Sequence, residues 1–214
     1  MKNSSHNGFA IAIAWPETLC KQAGAWYDGM MSFLKISQNN YYKVGHAAIV
    51  LIPQNGEECH YFDFGRYHSP FGHGRVRDAE TDHDLAIKTT PKTEGSSLIN
   101  FEEILTELLN NPACHGTGKI YASYCSVNFD KAYQKAKQMQ ELSPFKYGPF
   151  LPKGTNCSRF VRTVVLAGKP NINYGIKLRT PYSFSPTPKT NVDALTNKLT
   201  LFPSEEMINN SVRL

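Results

Sequence analysis

The residues best suited to chemistry surround a cysteine that follows a loop rich in proline and glycine. In the run Gly154-Thr-Asn-Cys-Ser-Arg-Phe-Val161, Cys157 comes directly after two good helix-capping residues. In the first turn of a helix, unpaired N–H groups and the helix dipole favour a thiolate, and the same N–H groups can hold an oxyanion. Two interpretations are open: Cys157 is a nucleophile, or it is a small buried side chain packed beside apolar helix residues.

A nucleophilic cysteine needs a base, and His46 is the candidate. It begins the β-rich run Val44–Ile52, in which strand alternation puts it on one face with Ala48 and Val50. An imidazole among small neighbours at the start of a strand can reach a cysteine on a helix packed across the sheet. The alternative is a core histidine whose hydrogen bonds are satisfied.

Asp63 is the candidate for orienting the base. A turn signal at residues 53–57 separates the His46 strand from a second one over residues 59–64, which predicts a hairpin. If the chain turns around residues 54–55, residue 63 lies opposite residue 46, and its carboxylate can accept a hydrogen bond from the imidazole. His60 lies on the opposite strand face, nearer the turn, and is the second candidate. An exposed strand carboxylate is the alternative for Asp63.

Three residues are candidates for binding a substrate. Arg66 and His68 lie in the segment 65–84, expected as a loop with a basic lining that suits a carboxylate or phosphate; the alternative is a solvated surface loop. Tyr147 precedes the cysteine by ten residues and is expected to pack over it or help hold the oxyanion, or else to anchor a loop. The histidines of this region lack metal-ligand spacing, so no metal and no cofactor is expected.

The surrounding pattern predicts the elements that position these residues. One sheet with segregated helices indicates an α+β fold. The expected strands cover 8–15, 44–52, 59–64, 85–89 and 119–125, and the expected helices begin at Pro16 (with Leu19, Ala23, Tyr27, Met30 and Leu34 on one face), after Asn100, after Asn128 and near Cys157. We expect a single domain over residues 1–180 and a C-terminal extension or covering tail over 181–214.

Composition narrows the function classes. The chain has 214 residues, a formal charge of +5 without basic blocks, and five scattered cysteines with no CxxC pair. The scattered charge gives no argument for nucleic-acid binding, and the cysteine spacing gives none for a zinc site. The cysteines are expected to be reduced thiols. No apolar run approaches the roughly 18 residues of a membrane span. These features predict a cytoplasmic protein without stable membrane insertion.

Two short motifs resemble a known family. Gly45-His46-Ala-Ala-Ile49, followed much later by Asn156-Cys157-Ser-Arg-Phe-Val161, resembles the circularly permuted NlpC/P60 (papain-like) cysteine peptidases, in which the histidine precedes the cysteine. That group includes YiiX/YebB-like proteins and, more remotely, lecithin retinol acyltransferase-like enzymes. The resemblance covers roughly residues 40–168. It implies a papain-like permuted fold, with a central antiparallel sheet packed against helices, and a triad of Cys157, His46 and Asp63.

The resemblance implies a thiol protease or amidase that cleaves an amide bond, with a small peptide or acyl-amide as substrate, cell-wall peptides included. The acyltransferase branch favours a second histidine as the third residue, where this sequence offers Asp63. Two alternatives stay open: a lipid- or ester-directed acyl hydrolase or transferase on the same fold, and a non-catalytic binding module that keeps the scaffold.

Overall fold

A seven-stranded antiparallel sheet forms the centre of the protein in the computed structural model, which describes residues 6–21, 37–38, 41–42, 44–180 and 185–203. The strands in this part of the chain are β1 (Gly8–Trp15), β2 (Cys20–Lys21), β3 (Ser37–Gln38), β4 (Tyr41–Tyr42), β5 (His46–Pro53), β6 (His60–Gly65), β7 (His73–Arg77), β8 (Thr93–Glu94), β9 (Ser97–Leu98), β10 (Ile120–Val127), β11 (Phe145–Lys146) and β12 (Thr196–Leu201). The main sheet runs in the order β11-β7-β6-β5-β1-β10-β12, so β5 is its central strand.

Helices cover both faces of this sheet. Those described are α1 (Phe101–Asn110), α2 (Phe129–Glu141), α3 (Cys157–Ala167), α4 (Ile172–Arg179) and α5 (Pro188–Ala194). Helices α2 to α5 contribute side chains to the core on one face, and α1 contributes to the core on the other. Strands β1 and β5 are buried along almost their whole length, which explains their nearly continuous apolar sequence. The predicted α+β class and the large antiparallel sheet in a single domain are confirmed.

Two local features place Cys157 and His46 at the ends of their elements. Asn156 has an extended backbone, and its side-chain oxygen accepts a hydrogen bond from the Arg159 N–H at 2.8 Å, so Cys157 is the first residue of α3 as predicted. Gly45 has φ +74°, a left-handed conformation that turns the chain into β5 directly before His46.

The register of the β5–β6 hairpin differs from the prediction by two residues. Asp63 lies opposite Ala48, not opposite His46, because the turn between the strands is centred later in the chain than expected. A shift of two residues keeps every side chain on its face, whereas a shift of one would have moved Asp63 to the other side of the sheet. Asp63 and His46 therefore remain diagonal neighbours on one face.

Other predicted elements are corrected by the structure. Residues 85–89 contain no strand; a 3₁₀ turn at His83–Leu85 leads into irregular chain. The segment 65–84 is not one loop, because β7 adds a strand to the main sheet beside β6. Residues 16–17 form a turn and 20–21 a strand, so no helix begins at Pro16, and the rest of that predicted helix lies outside the described residues.

The segment expected as a C-terminal extension contributes to the main fold in its described part. Helix α5 buries Val192 and Ala194 in the core on the α3 side of the sheet. Strand β12 then pairs with β10 at the edge of the sheet.

Gly45 gives a test of how β5 is positioned. A Cβ there would lie 2.8 Å from both Trp15 O and Pro16 Cα, in addition to the strain of the positive φ. We expect Gly45→Ala to lower the free energy of unfolding by about 2 kcal/mol or more, measured by urea denaturation. Gly72 has the same φ of +74° with nothing within 4 Å of its Cβ position. Gly72→Ala therefore measures the cost of the positive φ without a steric clash. Equal losses in the two variants would contradict the steric part of this account.

Candidate active site

Cys157 lies at the buried start of α3, with only 5% of its surface exposed. Its sulfur is 3.9 Å from the Ser158 hydroxyl oxygen, and the His46 side chain and the Ala47 N–H both favour the thiolate and lower the pKa of Cys157. His46 therefore lies close enough to Cys157 for each side chain to shift the pKa of the other. His46 is the first residue of the central strand and lies on the sheet face that α1 covers. At this end of the strand its side chain can extend past the backbone toward Cys157, which lies on the α3 face.

The His46 ring is held on several sides. Its Nε2 lies 3.3 Å from Asp63 Oδ2 and 3.5 Å from the Tyr67 hydroxyl, so two polar groups contact the same ring nitrogen. One face of the ring stacks on Trp15, with ring centroids 5.9 Å apart and planes at 19°. The ring thus has one orientation, in which a proton on Nε2 points at a carboxylate.

The charges of this pair stabilise each other. Burial disfavours the imidazolium, but the hydrogen bonds and charges of Asp63 and Cys157 outweigh burial and raise the pKa of His46 to about 9. Burial also disfavours the thiolate. The hydrogen bond and charge of His46, with smaller contributions from Ala47 N–H and the Ser158 hydroxyl, nevertheless lower the pKa of Cys157. The His46 imidazolium and the Cys157 thiolate therefore each favour the charged form of the other, which is the interaction that a cysteine nucleophile requires.

Asp63 is fully buried and paired with a guanidinium. Arg77 donates from Nε to Oδ1 at 3.0 Å and from a terminal nitrogen to Oδ2 at 2.7 Å, and Tyr61 donates to Oδ2 at 3.2 Å. Burial disfavours the Asp63 carboxylate, but its bonds to His46 and Arg77 lower its pKa below the usual value. Asp63 is therefore ionised behind the imidazole, as a third residue of a triad requires.

A stack of three side chains closes the rear of this site. The Arg77 guanidinium lies 3.4 Å from the Tyr67 ring centroid, and His115 stacks on Tyr67 at 5.0 Å. Beyond the stack is a groove of about 1150 Å³ that these three residues help to line. From the sequence, Arg77 is covered only as one position of the basic segment 65–84, and neither Tyr67 nor His115 is singled out. In the sheet, Arg77 of β7 is the pairing partner of Asp63 of β6. Recognising β7 as a strand, with the correct register to β6, would have identified Arg77 from the sequence.

His60, the second candidate for the third residue, lies elsewhere. Its ring packs against Phe129 and Tyr133, with centroids 5.6 and 5.0 Å apart, and it faces Leu51 on the neighbouring strand. Burial lowers its pKa. Among the two candidates, only Asp63 contacts the imidazole.

The candidate binding residues divide into two places. Tyr147 stacks on Phe64 with centroids 5.8 Å apart, forms a β-bridge to Thr155 just before the cysteine, and carries the Arg66 guanidinium 5.5 Å above its ring. Tyr147 and Arg66 thus lie together on the α3 side. His68 lines the groove behind Tyr67 instead, so the structure does not bring it together with the other two.

Comparison with known proteins gives the family. The sequence profile of the family described as "Type VI secretion system effector TseH-like" matches residues 10–174, which include Cys157, His46 and Asp63. The chain belongs to the TseH-like family.

A solved structure, the crystal structure of the type VI secretion system effector TseH, is similar to this fold with a TM-score of 0.58 and 16% sequence identity. The match covers 93% of this chain and 94% of the TseH chain. No curated protein matches the sequence. The family shown is the TseH-like one; membership of the YiiX/YebB-like or acyltransferase branches stays a prediction.

Within the described ranges, no group of three or more histidine, cysteine or acidic residues is arranged to hold a metal ion. No helix in that part of the chain is long and apolar enough to cross a membrane.

The pKa values predict which cysteine reacts first. Burial raises the pKa of Cys59, Cys114 and Cys125 to about 12, so at pH 7 only about one part in 10⁵ of each is thiolate. We expect iodoacetamide to modify Cys157 at least ten times faster than these three, measured by competitive alkylation and peptide mapping. The rate should fall only as the pH drops below the lowered pKa of Cys157, and the ion pair should persist until the pH rises through about 9.

Denatured protein provides the control for this test, because all four cysteines should then react at similar rates. If Cys157 were the slowest of the four in the native protein, the thiolate assignment would be wrong.

The buried Asp63–Arg77 pair predicts strong energetic coupling. Both side chains are almost completely buried, so Arg77→Gln leaves the buried carboxylate without its guanidinium partner and should lower the free energy of unfolding by about 3–5 kcal/mol. The double variant Asp63→Asn/Arg77→Gln should lose less than the sum of the single losses, as measured by urea unfolding.

Arg75 supplies a matched control in the same strand. Its pair with Asp82, at 2.9 Å, is partly exposed, so Arg75→Gln should change stability by about 1 kcal/mol or less. Additive losses in the Asp63–Arg77 cycle would show that the two charges do not depend on each other.

Proposed function

We propose that this TseH-like protein is a cysteine hydrolase that cleaves an amide bond through a Cys157–His46–Asp63 triad on a permuted papain-like, NlpC/P60-type scaffold. The observation that carries the proposal is the interaction by which His46 lowers the pKa of Cys157, together with the Asp63 Oδ2 that lies 3.3 Å from His46 Nε2. Membership of the effector family and the order of histidine before cysteine are consistent with it.

The first chemical step is attack of the Cys157 thiolate on the carbonyl carbon of the substrate. The C–S bond forms as the carbonyl becomes an oxyanion, and the unpaired N–H groups of the first turn of α3 can hold that oxyanion. Asn156 takes the Arg159 N–H, and its carbonyl takes the Phe160 N–H, so the cap does not use the N–H groups of Cys157 and Ser158.

His46 then moves the proton. The imidazolium donates it to the leaving amine as the C–N bond breaks, and the neutral ring accepts a proton from the water that hydrolyses the thioester. Asp63 keeps the ring oriented and stabilises its charge, and Arg77 keeps Asp63 ionised.

The substrate is proposed to be a small peptide or acyl-amide, with Tyr147 and Arg66 as the side chains nearest the α3 side of the site and His68 at the groove behind it. As a member of a secretion-effector family, the protein is proposed to act after secretion. The cytoplasmic location predicted from composition would then describe where it is made.

The base assignment is tested by replacing His46. His46→Ala removes the imidazolium, so the pKa of Cys157 should rise and its alkylation at pH 7 should slow by about 10- to 100-fold. Asp63→Asn should have a smaller effect of the same sign, because it orients the ring without accepting the proton. Circular dichroism checks that each variant keeps its fold.

His60→Ala is the matched control, since it removes a partly buried histidine away from the cysteine and should leave the rate unchanged. A set of amide and ester electrophiles, with mass identification of the labelled residue, then separates amide from ester preference. Unchanged alkylation in a folded His46→Ala variant would remove His46 from the site. Absence of labelling at Cys157 by every electrophile would favour the non-catalytic alternative.

A further inference from the structure

The first turn of α3 is held by the chain segment Ser185–Leu195, which lies beyond the residues that match the family profile. Two hydrogen bonds connect them, and they involve the residues directly before and directly after Cys157. The nucleophile is therefore bracketed by contacts to a part of the chain that contributes no residue to the triad.

The contact before the cysteine involves the helix cap. Asn156 uses its side-chain oxygen for the Arg159 N–H, and its Nδ2 donates to the Ser185 hydroxyl at 2.7 Å. Both the oxygen and the nitrogen of the Asn156 amide therefore have hydrogen-bond partners, which fix its orientation. Because a cap amide that rotates would release the helix N–H group, the Ser185 contact stabilises the start of α3.

The contact after the cysteine is more deeply buried. Asn191 is 1% exposed, and its Nδ2 donates to the Ser158 carbonyl at 2.8 Å. Its Oδ1 is buried and has no hydrogen-bond partner in the described residues. A buried amide that leaves its oxygen unpaired carries a free-energy penalty. An asparagine at this position is therefore not explained by core packing alone.

Helix α5, which carries Asn191, is itself anchored to the sheet. The Ser123 hydroxyl on β10 donates to the Val192 carbonyl at 2.7 Å, and Val192 and Leu195 are buried in the α3-side core. The Asn191 amide therefore lies on a helix that is bonded to the sheet. Its hydrogen bond to the Ser158 carbonyl fixes the first turn of α3 relative to the sheet.

We propose that Asn191 and Ser185 are positioning residues that hold Cys157 at the distance and angle at which it pairs with His46. This inference rests on the proposed role of Cys157 as the nucleophile. Neither residue touches the reacting atoms in this account. Each acts through a neighbour of the cysteine, Ser158 or Asn156.

The test measures the pH dependence of Cys157 alkylation in the full chain, with iodoacetamide as the probe. Asn191→Ala should slow alkylation at pH 7 by about threefold to tenfold, the loss expected for one hydrogen bond, with the midpoint of the pH–rate profile moved upward by about half a unit to one unit. Ser185→Ala should shift the midpoint in the same direction by less, because its contact is partly exposed. Ser185→Thr, which keeps a hydroxyl, should restore the wild-type profile.

Ser123→Ala is the matched control. It removes another buried hydrogen bond of α5, of similar length, without touching α3. It should therefore lower the thermal midpoint as Asn191→Ala does but shift the alkylation profile much less, because the Asn191–Ser158 hydrogen bond remains. Equal shifts of the profile in the two variants would overturn the inference, since general loosening of α5 would then explain both. If Asn191→Ala fails to fold, Ser185→Ala and Ser185→Thr decide alone.

The outcomes separate this inference from the proposed function. If wild-type Cys157 is reactive and His46→Ala slows it, but Asn191→Ala and Ser185→Ala leave the profile unchanged, the positioning role is wrong and the triad stands. If His46→Ala has no effect on Cys157, the proposed function fails first.

Discussion

The arrangement of the site depends on a line of ionisable groups buried beside the sheet: the Arg77 guanidinium, the Asp63 carboxylate, the His46 imidazole and the Cys157 thiol. Each charge would be strongly disfavoured by burial if it stood alone, and each has its pKa moved toward the charged form by its neighbours. Removing one member therefore changes the protonation of the others. The aromatic side chains Trp15, Tyr61 and Tyr67 surround this line and exclude water from it, which strengthens every contact within it.

The sheet positions this line through the alternation of its strands. Residues 46 and 48 of β5, 61 and 63 of β6, and 77 of β7 share one face, so the three charged side chains from three neighbouring strands converge. The thiolate comes from the opposite face, on the end of a helix. The two halves meet at the beginning of β5, where the chain turns at Gly45, and this explains why a conformation at one glycine bears on the chemistry.

The C-terminal part of the described chain completes the fold around Cys157. Strand β12 extends the sheet beside β10, and α5 packs between the sheet and α3. The first N–H groups of a helix have no partner within the helix, and the first turn needs support from other segments so that it does not fray. Contacts from outside the helix provide that support without occupying the N–H groups.

Local sequence signals predicted many of the strands and helices of this protein. Apolar periodicity predicted β1, β5, β6, β10 and the helices after Asn100, Asn128 and Asn156, because those signals lie within one element; the motifs around His46 and Cys157 indicated the pair. What the sequence left open was decided by contacts between distant segments. The hairpin register, the pairing of β7 beside β6 that brings Arg77 to Asp63, and the packing of Asn191 on Ser158 each depend on how separate elements meet. A register shift of two residues preserves the hydrophobic pattern of a strand, so composition cannot distinguish the alternatives, and only the packed sheet selects one.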